Sequence, residues 1–294
     1  MEEKKIKILF DTDIGSDIDD AVALAYLLQH PKCDLLGITT VSGDTYKRAQ
    51  LASVMCNTAG KKIPILVGLS DRLDGPSRQP EVPHSLILPN WKHETIFSDE
   101  NAVDFIAKTI RLYPNEIVLL SVGPMTNIAT LFIKHPDIPL LLKSLHLMSG
   151  RFYLSDKLPI SEWNVHCDPH AAEIVYNTSI SSHTSIGLDV TSRIEMNSDE
   201  VNDRFHHHLL EPIKAMSDIW FKYRKKIRFH DPLAAVTIFN QSICSYKNGT
   251  VSIRRGKGDS DGITNWIEGV NGPHIIGSQV NIKGFFDSYF GIFN

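Results

Sequence analysis

The sequence predicts an α/β fold, a single domain over residues 1–294 with a mostly parallel central sheet flanked by helices. Short apolar runs of strand length alternate with amphipathic segments of helical length, which is the pattern of parallel strands joined by crossover helices. The chain has 294 residues, of which 42% are hydrophobic and 22% charged, a soluble globular composition. No linker, repeat or low-complexity tract divides it, so one domain is expected.

The predicted elements follow one another in regular order. Six apolar runs predict strands at residues 5–10, 34–41, 63–68, 116–123, 144–148 and 184–191. Five segments with apolar residues at helical spacing predict helices at residues 19–30, 46–60, 99–114, 125–136 and 168–177. Several of these helical segments end at Gly or just before Pro, as helices do.

The remaining segments are less regular. Residues 76–99 are rich in Pro, Ser and charge without a clear period, which predicts a long loop beside the site. Residues 197–240 are mostly helical in pattern, and from about Gly249 the tail returns to strand and turn signals.

Charge and targeting signals narrow the possible partners and compartment. The net charge of −4 and the pI near 6.3 provide no basic surface for a nucleic-acid polymer. No apolar run approaches the ~18 residues of a membrane helix, and the first residues show neither a long apolar h-region nor a small-residue cleavage site, so no signal peptide is expected. Four cysteines lie far apart without a CxxC pair, so no disulfide framework or zinc site is indicated. We expect a cytoplasmic protein with free thiols and no membrane partner.

Five aspartates, Asp11, Asp13, Asp17, Asp19 and Asp20, fall within ten positions directly behind the first predicted strand. Strand alternation points Asp11 and Asp13 the same way, at the end of the strand where α/β folds bind ligands. Asp19 and Asp20 begin a helix, where carboxylates are favoured, so a capping role is the alternative reading, above all for Asp17. No Lys or Arg lies between Ile8 and Lys32 to offset their repulsion. The cluster therefore predicts a metal site with oxygen ligands.

Two known kinds of acidic loop fit poorly. An EF-hand needs Glu at its twelfth position and a helix before the loop, but the twelfth residue from Asp11 is Val22, and a strand precedes. A phosphohydrolase of the haloacid dehalogenase type also begins with a strand and DxD, and residues 257–265 resemble its later acidic motif. That class has no use for the Asp19–Asp20 pair and is kept as a remote alternative.

Five segments in order carry a family resemblance. They are DTDIGSDIDDAVALA (11–25), TTVSGD (39–44), SVGPMTNIA (121–129), EWNVHCDPHAA (162–172) and FHDPLA (229–234). Together they resemble the inosine-uridine preferring nucleoside hydrolases, over residues 6 to about 240. The resemblance implies the Rossmann-like nucleoside hydrolase fold and Ca²⁺-dependent hydrolysis of the N-glycosidic bond of ribonucleosides, giving ribose and free nucleobase.

The resemblance assigns a metal site. In that family Ca²⁺ at the bottom of the pocket holds the ribose 2′ and 3′ hydroxyls and a water. Asp13 matches a metal ligand that is also the general base, and Asp20, the Val122 carbonyl and Asp231 match further ligands. Asp19 would hold a ribose hydroxyl. Two residues are inserted before the Asp pair, so Asp17 is an alternative to Asp19.

Other positions match substrate contacts. Glu162 and Asn164 match residues that grip the ribose hydroxyls. Asp44 and Asp156 stand where the family usually has asparagine, and both are expected near the ribose. Capping of the helix that starts near Tyr46 is the alternative role for Asp44.

Histidines are the candidates for the acid near the leaving base. His230 matches the histidine of the family's HDP motif and is the first candidate. The same segment could also begin a helix, with Asp231 as its cap and Pro232 behind it, and both readings can hold at once. His84 and His93 lie in the predicted loop and are looser candidates. Residues His206, His207 and His208 are read as surface, because consecutive helix positions face different directions.

The expected partner is a small ribonucleoside, taken from nucleoside salvage, and the expected assembly is a homodimer or homotetramer. Two alternatives stay open: a hydrolase of a non-nucleoside riboside, and a catalytically silent protein that binds a nucleoside or sugar. The loops that select the base cannot be aligned with the family, so the sequence assigns no base preference.

Overall fold

The computed structural model describes residues 4–153 and 161–293 of the chain. The strands are β1 (Ile6–Thr12), β2 (Cys33–Thr40), β3 (Ile65–Leu66), β4 (Ile117–Ser121), β5 (Ser144–Met148), β6 (His183–Ile186), β7 (Glu195–Asn197), β8 (Lys226–Arg228), β9 (Cys244–Arg254), β10 (Ile263–Glu268) and β11 (His274–Val280). The α-helices are α1 (Asp19–Gln29), α2 (Thr45–Thr58), α3 (Ala102–Leu112), α4 (Thr126–Lys134), α5 (Ile138–Leu141), α6 (Trp163–Cys167), α7 (Pro169–Asn177), α8 (Leu188–Thr191), α9 (Ser198–Arg204), α10 (Glu211–Trp220), α11 (His230–Phe239) and α12 (Ile282–Phe290).

Within the described ranges, nine strands form one sheet in the order β10-β9-β11-β6-β5-β4-β1-β2-β3. Neighbouring strands from β3 to β11 run parallel, and β9 and β10 extend that edge as antiparallel strands. β7 and β8 pair separately. The prediction of an α/β fold with a mostly parallel, helix-flanked sheet is confirmed.

Packing explains why the central strands read as continuous apolar runs. All five residues of β4 and of β5 are buried, as expected for strands covered by helices on both faces. The buried side chains of α3 include Val103, Ile106 and Ile110, which recur every three or four positions and so form one helix face.

Two predicted element assignments in the second half were wrong. Residues 184–191 were expected to be one strand, but β6 ends at Ile186 and Leu188–Thr191 is helical. The Leu188 amide donates to the Gly150 carbonyl at 2.9 Å, so the chain turns away from the sheet there. The tail ends in α12, which was not predicted. Asn281 caps this helix, and its buried Phe285 and Tyr289 are one turn apart.

The strand order indicates where on the sheet a ligand is expected to bind. Along β3-β2-β1-β4-β5-β6 the direction of connection reverses between β1 and β4. Ligands of open α/β sheets bind at the carboxyl ends of the strands at such a reversal. The chain leaves β1 into the aspartate loop and leaves β4 at Val122, so both segments meet at this point.

Among residues 4–153 and 161–293, none of the helices has the length and apolar character that a membrane span requires. All four cysteines, Cys33, Cys56, Cys167 and Cys244, are buried free thiols.

Candidate active site

A cavity of about 640 Å³ opens at the carboxyl ends of the parallel strands. Most of the site residues predicted from the sequence line it, although they come from four separate segments of the chain. These residues are Asp13, Asp17, Asp19, Asp20, Val122, Glu162, Asn164, His230 and Asp231. The cavity is therefore where the predicted site is assembled.

Three buried carboxylates, Asp19, Asp20 and Asp231, each offer an oxygen within 4.8 Å of the others. Asp19 and Asp20 begin α1, Asp231 lies in the first turn of α11, and the Asp231 amide donates to Asp19 Oδ2 at 3.4 Å. Burial, and then repulsion from the neighbouring aspartates, Asp13 and Asp17 included, raises the pKa of all three. A donor set of carboxylate oxygens that repel one another fits a hard divalent cation, so this group could hold a metal ion.

The end of β1 fixes one of these carboxylates. The Thr12 hydroxyl donates to Asp20 Oδ1 at 2.5 Å, and the Ile14 amide donates to Thr12 Oγ1 at 3.1 Å. The strand end and the loop that follows it therefore set the orientation of Asp20.

Asp13 lines the same cavity outside the group of three. Its Oδ2 accepts a hydrogen bond of 2.6 Å from Gln79 Nε2. Its Oδ1 lies against Gly123, where a Cβ atom would come within 2.9 Å of it. Burial raises the pKa of Asp13, while the Arg48 charge and the Gln79 hydrogen bond act in the opposite direction.

Arg48 of α2 lies wholly buried beneath the aspartate loop. Its guanidinium donates to main-chain oxygens and one hydroxyl in three loops. The acceptors are the carbonyl oxygens of Asp13, Ile14, Ser42 and Gln79 and the hydroxyl of Ser16. The expectation that no cation offsets the aspartates holds only along the local sequence, because this arginine arrives from another element.

Glu162 and Asn164 form a rigid corner of the cavity. Glu162 caps α6, because Oε1 accepts from the Asn164 amide at 2.7 Å and Oε2 from the Val165 amide at 3.1 Å. Burial raises the pKa of Glu162 to about 7. Asn164 Nδ2 donates to the Val122 carbonyl at 2.6 Å, which leaves that carbonyl a second lone pair and leaves Asn164 Oδ1 as its remaining polar atom.

His230 lies next to Asp231 at the start of α11. Its Nδ1 is 2.7 Å from the Thr191 hydroxyl, and burial lowers the pKa of its imidazole to about 4, with Arg228 contributing. The ring is therefore neutral near pH 7 and has one N–H to share.

Two predicted substrate contacts do not join this group. Asp44 does not line the cavity, as far as the described residues define it: it caps α2 by accepting from the Lys47 amide at 3.0 Å and pairs with the Lys47 ammonium at 3.0 Å. The capping alternative thus matches its position. Asp156 lies outside the described residues.

Asp11 and the two looser histidine candidates, His84 and His93, do not line the cavity. Asp11 is buried between strands, where it accepts hydrogen bonds from Thr39 and Asn127 at 2.5 and 2.7 Å, and burial raises its pKa to about 7. His84 is buried behind the lining, and His93 bonds to the Trp91 carbonyl. His206 and His208 are exposed, as expected.

Several lining residues gave no signal in the sequence. Arg78 and Gln79 belong to the non-periodic loop of residues 76–99, and Trp220 and Arg224 come from the end of α10 and the turn after it. Arg48 alone could have been found, since it falls on the buried face of α2, one position before Ala49 and four before Ala52.

The fold and the site together define an α/β enzyme with an acidic cavity at the switch point of a parallel sheet, in which three carboxylates could hold a metal ion. The family model of the inosine-uridine preferring nucleoside hydrolases matches residues 8–287. The chain belongs to this family and is a nucleoside N-ribohydrolase that cleaves ribonucleosides.

Similar proteins agree on the class and differ in substrate. Uridine nucleosidase 1 of Arabidopsis thaliana is 29% identical over 276 residues, covering 85% of this chain and 79% of the relative. A plant nucleoside hydrolase structure superposes with a TM-score of 0.85 at 22% identity, and a purine-preferring ribonucleoside hydrolase from Gardnerella vaginalis with 0.83 at 24%. Each covers 98% of both chains, a likeness of fold.

Proposed function

We propose that the protein hydrolyses the N-glycosidic bond of ribonucleosides with the help of Ca²⁺, releasing ribose and free base, and that Asp13 is its general base. The observation that supports this most is the group Asp19, Asp20 and Asp231 in the same cavity as Asp13. An oxygen-only donor set favours calcium over softer metals.

Asp20 and Asp231 are the proposed metal ligands, joined by Asp13 and by the free lone pair of the Val122 carbonyl. Asp19 either joins them or holds a ribose hydroxyl. A calcium ion bound there would orient the ribose diol and lower the pKa of a water molecule.

Asp13 accepts a proton from the water whose oxygen adds to the anomeric carbon, while the bond from that carbon to the base nitrogen breaks. The developing positive charge on the sugar is stabilised by the surrounding carboxylates, among them Glu162. Glu162 and Asn164 Oδ1 hold ribose hydroxyls, and their fixed orientation on α6 keeps the sugar in place.

His230 is the proposed donor to the leaving base. If the Thr191 hydroxyl donates to Nδ1, the ring proton resides on Nε2, the remaining nitrogen. A hydrogen bond donated from Nε2 would stabilise the negative charge that develops on the base nitrogen as the bond breaks, and the departed base then takes its proton from water. We extend the proposal to both pyrimidine and purine nucleosides, because the similar proteins include a uridine nucleosidase and a purine-preferring hydrolase.

The test is a panel of ribonucleosides assayed for released reducing sugar, with native protein, with EDTA, and with Ca²⁺ restored. The proposal expects turnover that EDTA abolishes and Ca²⁺ restores. Release of sugar only from a simple aryl riboside would favour a non-nucleoside substrate. No release from any riboside, with calcium bound, would favour a silent binding protein.

We further propose that residues 1–294 act as one domain in the cytoplasm and assemble as a homodimer or homotetramer. The single sheet that takes strands from both ends of the described chain supports the first part. Light scattering after size exclusion tests the assembly, and a monomer at micromolar concentration would contradict it.

A further inference from the structure

We infer that Gln79 is a positioning residue that fixes the Asp13 carboxylate, and that Trp163 sets its direction. This inference rests on the proposed role of Asp13 as the base. Gln79 lies between the two side chains: Nε2 donates to Asp13 Oδ2 at 2.6 Å, and Oε1 accepts from the indole Nε1–H of Trp163. None of the sequence motifs includes Gln79.

The indole determines which way the amide points. An indole N–H can only donate, so the atom of Gln79 that faces it must be the oxygen. The amide nitrogen then faces Asp13, and Asp13 Oδ2 must accept. The alternative amide orientation would set two donors against each other at Trp163 and two acceptors against each other at Asp13. Only one direction of the hydrogen-bond chain Trp163–Gln79–Asp13 therefore pairs every donor with an acceptor.

The main chain of Gln79 is itself held in place. Arg48 Nη2 donates to its carbonyl at 3.3 Å, and its amide donates to Ser77 Oγ at 3.0 Å. Gly43, at φ +66°, lies so close that a Cβ there would collide with this carbonyl. Gln79 is 8% exposed, so water competes little for its amide.

Both carboxylate oxygens of Asp13 are therefore restrained. Oδ2 accepts the hydrogen bond from Gln79, and Oδ1 packs against the Gly123 backbone. A general base needs this kind of fixed geometry, because a displacement of ~1 Å can cost about 100-fold in rate. Trp163 lies at the cavity and is 53% exposed, between Glu162 and Asn164 in the sequence. The chain of hydrogen bonds thus joins the corner formed by Glu162 and Asn164 to Asp13, the proposed general base.

The test compares Q79M, W163F and the double variant, with Q241M as control. Methionine keeps the unbranched length of glutamine and removes both hydrogen bonds. At saturating substrate and calcium we expect kcat of Q79M to fall about 10- to 100-fold with KM within about threefold of wild type. W163F should lose less, because Gln79 can still reach Asp13. The double variant should be no worse than Q79M, because both act through one chain.

A spectroscopic readout separates positioning from general damage. The indole N–H resonance of Trp163, assigned as the one missing in W163F, should shift in Q79M while the thermal midpoint stays near that of wild type. Q241M, at an exposed position in the 3₁₀ turn Gln241–Ile243, should match wild type throughout.

Unchanged kcat in Q79M, or independent losses that multiply in the double variant, would overturn the inference while the proposed function stands. Sugar release by no nucleoside in wild type would overturn the proposed function itself. In that case the indole resonance would still report whether the Trp163–Gln79 hydrogen bond exists.

Discussion

At the scale of single residues, the aspartates of the site differ in role although the sequence shows them as one run. Asp11 accepts hydrogen bonds from Thr39 of β2 and Asn127 of α4, and Asp13 accepts one from Gln79. Asp19 and Asp20 lie beside Asp231. The contiguous motif allowed the sequence to predict most of these positions. It could not predict Gln79, which reaches the site through contacts between distant segments, and the only signal for Arg48 was its place on the buried face of α2.

Replacing Asp13 by Asn should remove the proposed general base while keeping the shape of the side chain. We expect kcat to fall about 10²- to 10⁴-fold, the usual contribution of a positioned general base. Asp44→Asn is the matched control, since Asn is an equally good N-cap and Asp44 lies away from the cavity. A comparable loss in both variants would return Asp44 to the substrate site.

Replacing Arg48 by Met should destabilise the fold strongly. The buried carbonyls of Asp13, Ile14 and Ser42 would lose their donor, and the aspartates would lose their nearest buried positive charge. The expected loss is about 3 to 5 kcal/mol in the free energy of unfolding, the range for breaking a buried charge network. Urea denaturation measures it, with Arg48→Lys expected to retain part of the stability. A loss below about 1 kcal/mol, typical of a surface charge, would contradict this.

At the scale of elements, the hairpin β9–β10 supports the loop that lines the cavity. The buried Asp261 accepts from Arg78 at 2.9 Å and from the Gly256 amide at 3.1 Å. Arg78 lines the cavity and precedes Gln79. The sequence predicted strands and turns in this region, yet residues 257–265 were noted there only as resembling another enzyme's acidic motif. The role of Asp261 in this segment depends on its partner Arg78, which no local sequence pattern reveals.

Asp261→Asn should loosen this support. It removes the charge that pairs with Arg78, so we expect a loss of about 2 kcal/mol in the free energy of unfolding and a higher KM. Asp74→Asn provides the comparison, because Asp74 pairs with Arg255 at 2.7 Å where both side chains are about a third or more exposed. The loss in the free energy of unfolding on Asp74→Asn should stay below about 1 kcal/mol. Equal effects in the two variants would show that the more buried Arg78–Asp261 pair contributes no more than the exposed one.

At the scale of the whole molecule, alternation of strands and helices was enough to predict the fold class. Where prediction failed, tertiary contacts had overridden local pattern. Leu188 bonds to Gly150 and the chain leaves the sheet, while α12 gains its stability from packing Phe285 and Tyr289 into the core. Apolar periodicity reports which face is buried and says little about where a strand stops.

Calcium should stabilise the whole protein in a manner that depends on pH. The pKa values of Asp19, Asp20 and Asp231 are raised, which favours binding of protons in the absence of metal, and the stability that these groups contribute is lost as pH rises. A cation displaces these protons, so the gain in stability on adding Ca²⁺ should increase with pH.

The measurement is the difference in unfolding free energy with calcium and with EDTA across a pH series, in which each displaced proton adds up to ~1.4 kcal/mol per pH unit. Taking this difference cancels the titration of groups that the ion does not affect. Asp231→Asn should reduce the calcium-dependent gain at every pH. A gain that is independent of pH would mean that the ion does not displace protons from these carboxylates.

The hydrogen bond from the Asp231 amide to Asp19 joins residues 212 positions apart. During synthesis at about 5–20 residues per second, the N-terminal acids would therefore wait roughly 10 to 40 seconds for their partner. Until then the proposed metal site lacks one of its three buried carboxylates. A cation that needs Asp231 would act late in biogenesis, closing a structure that has already formed.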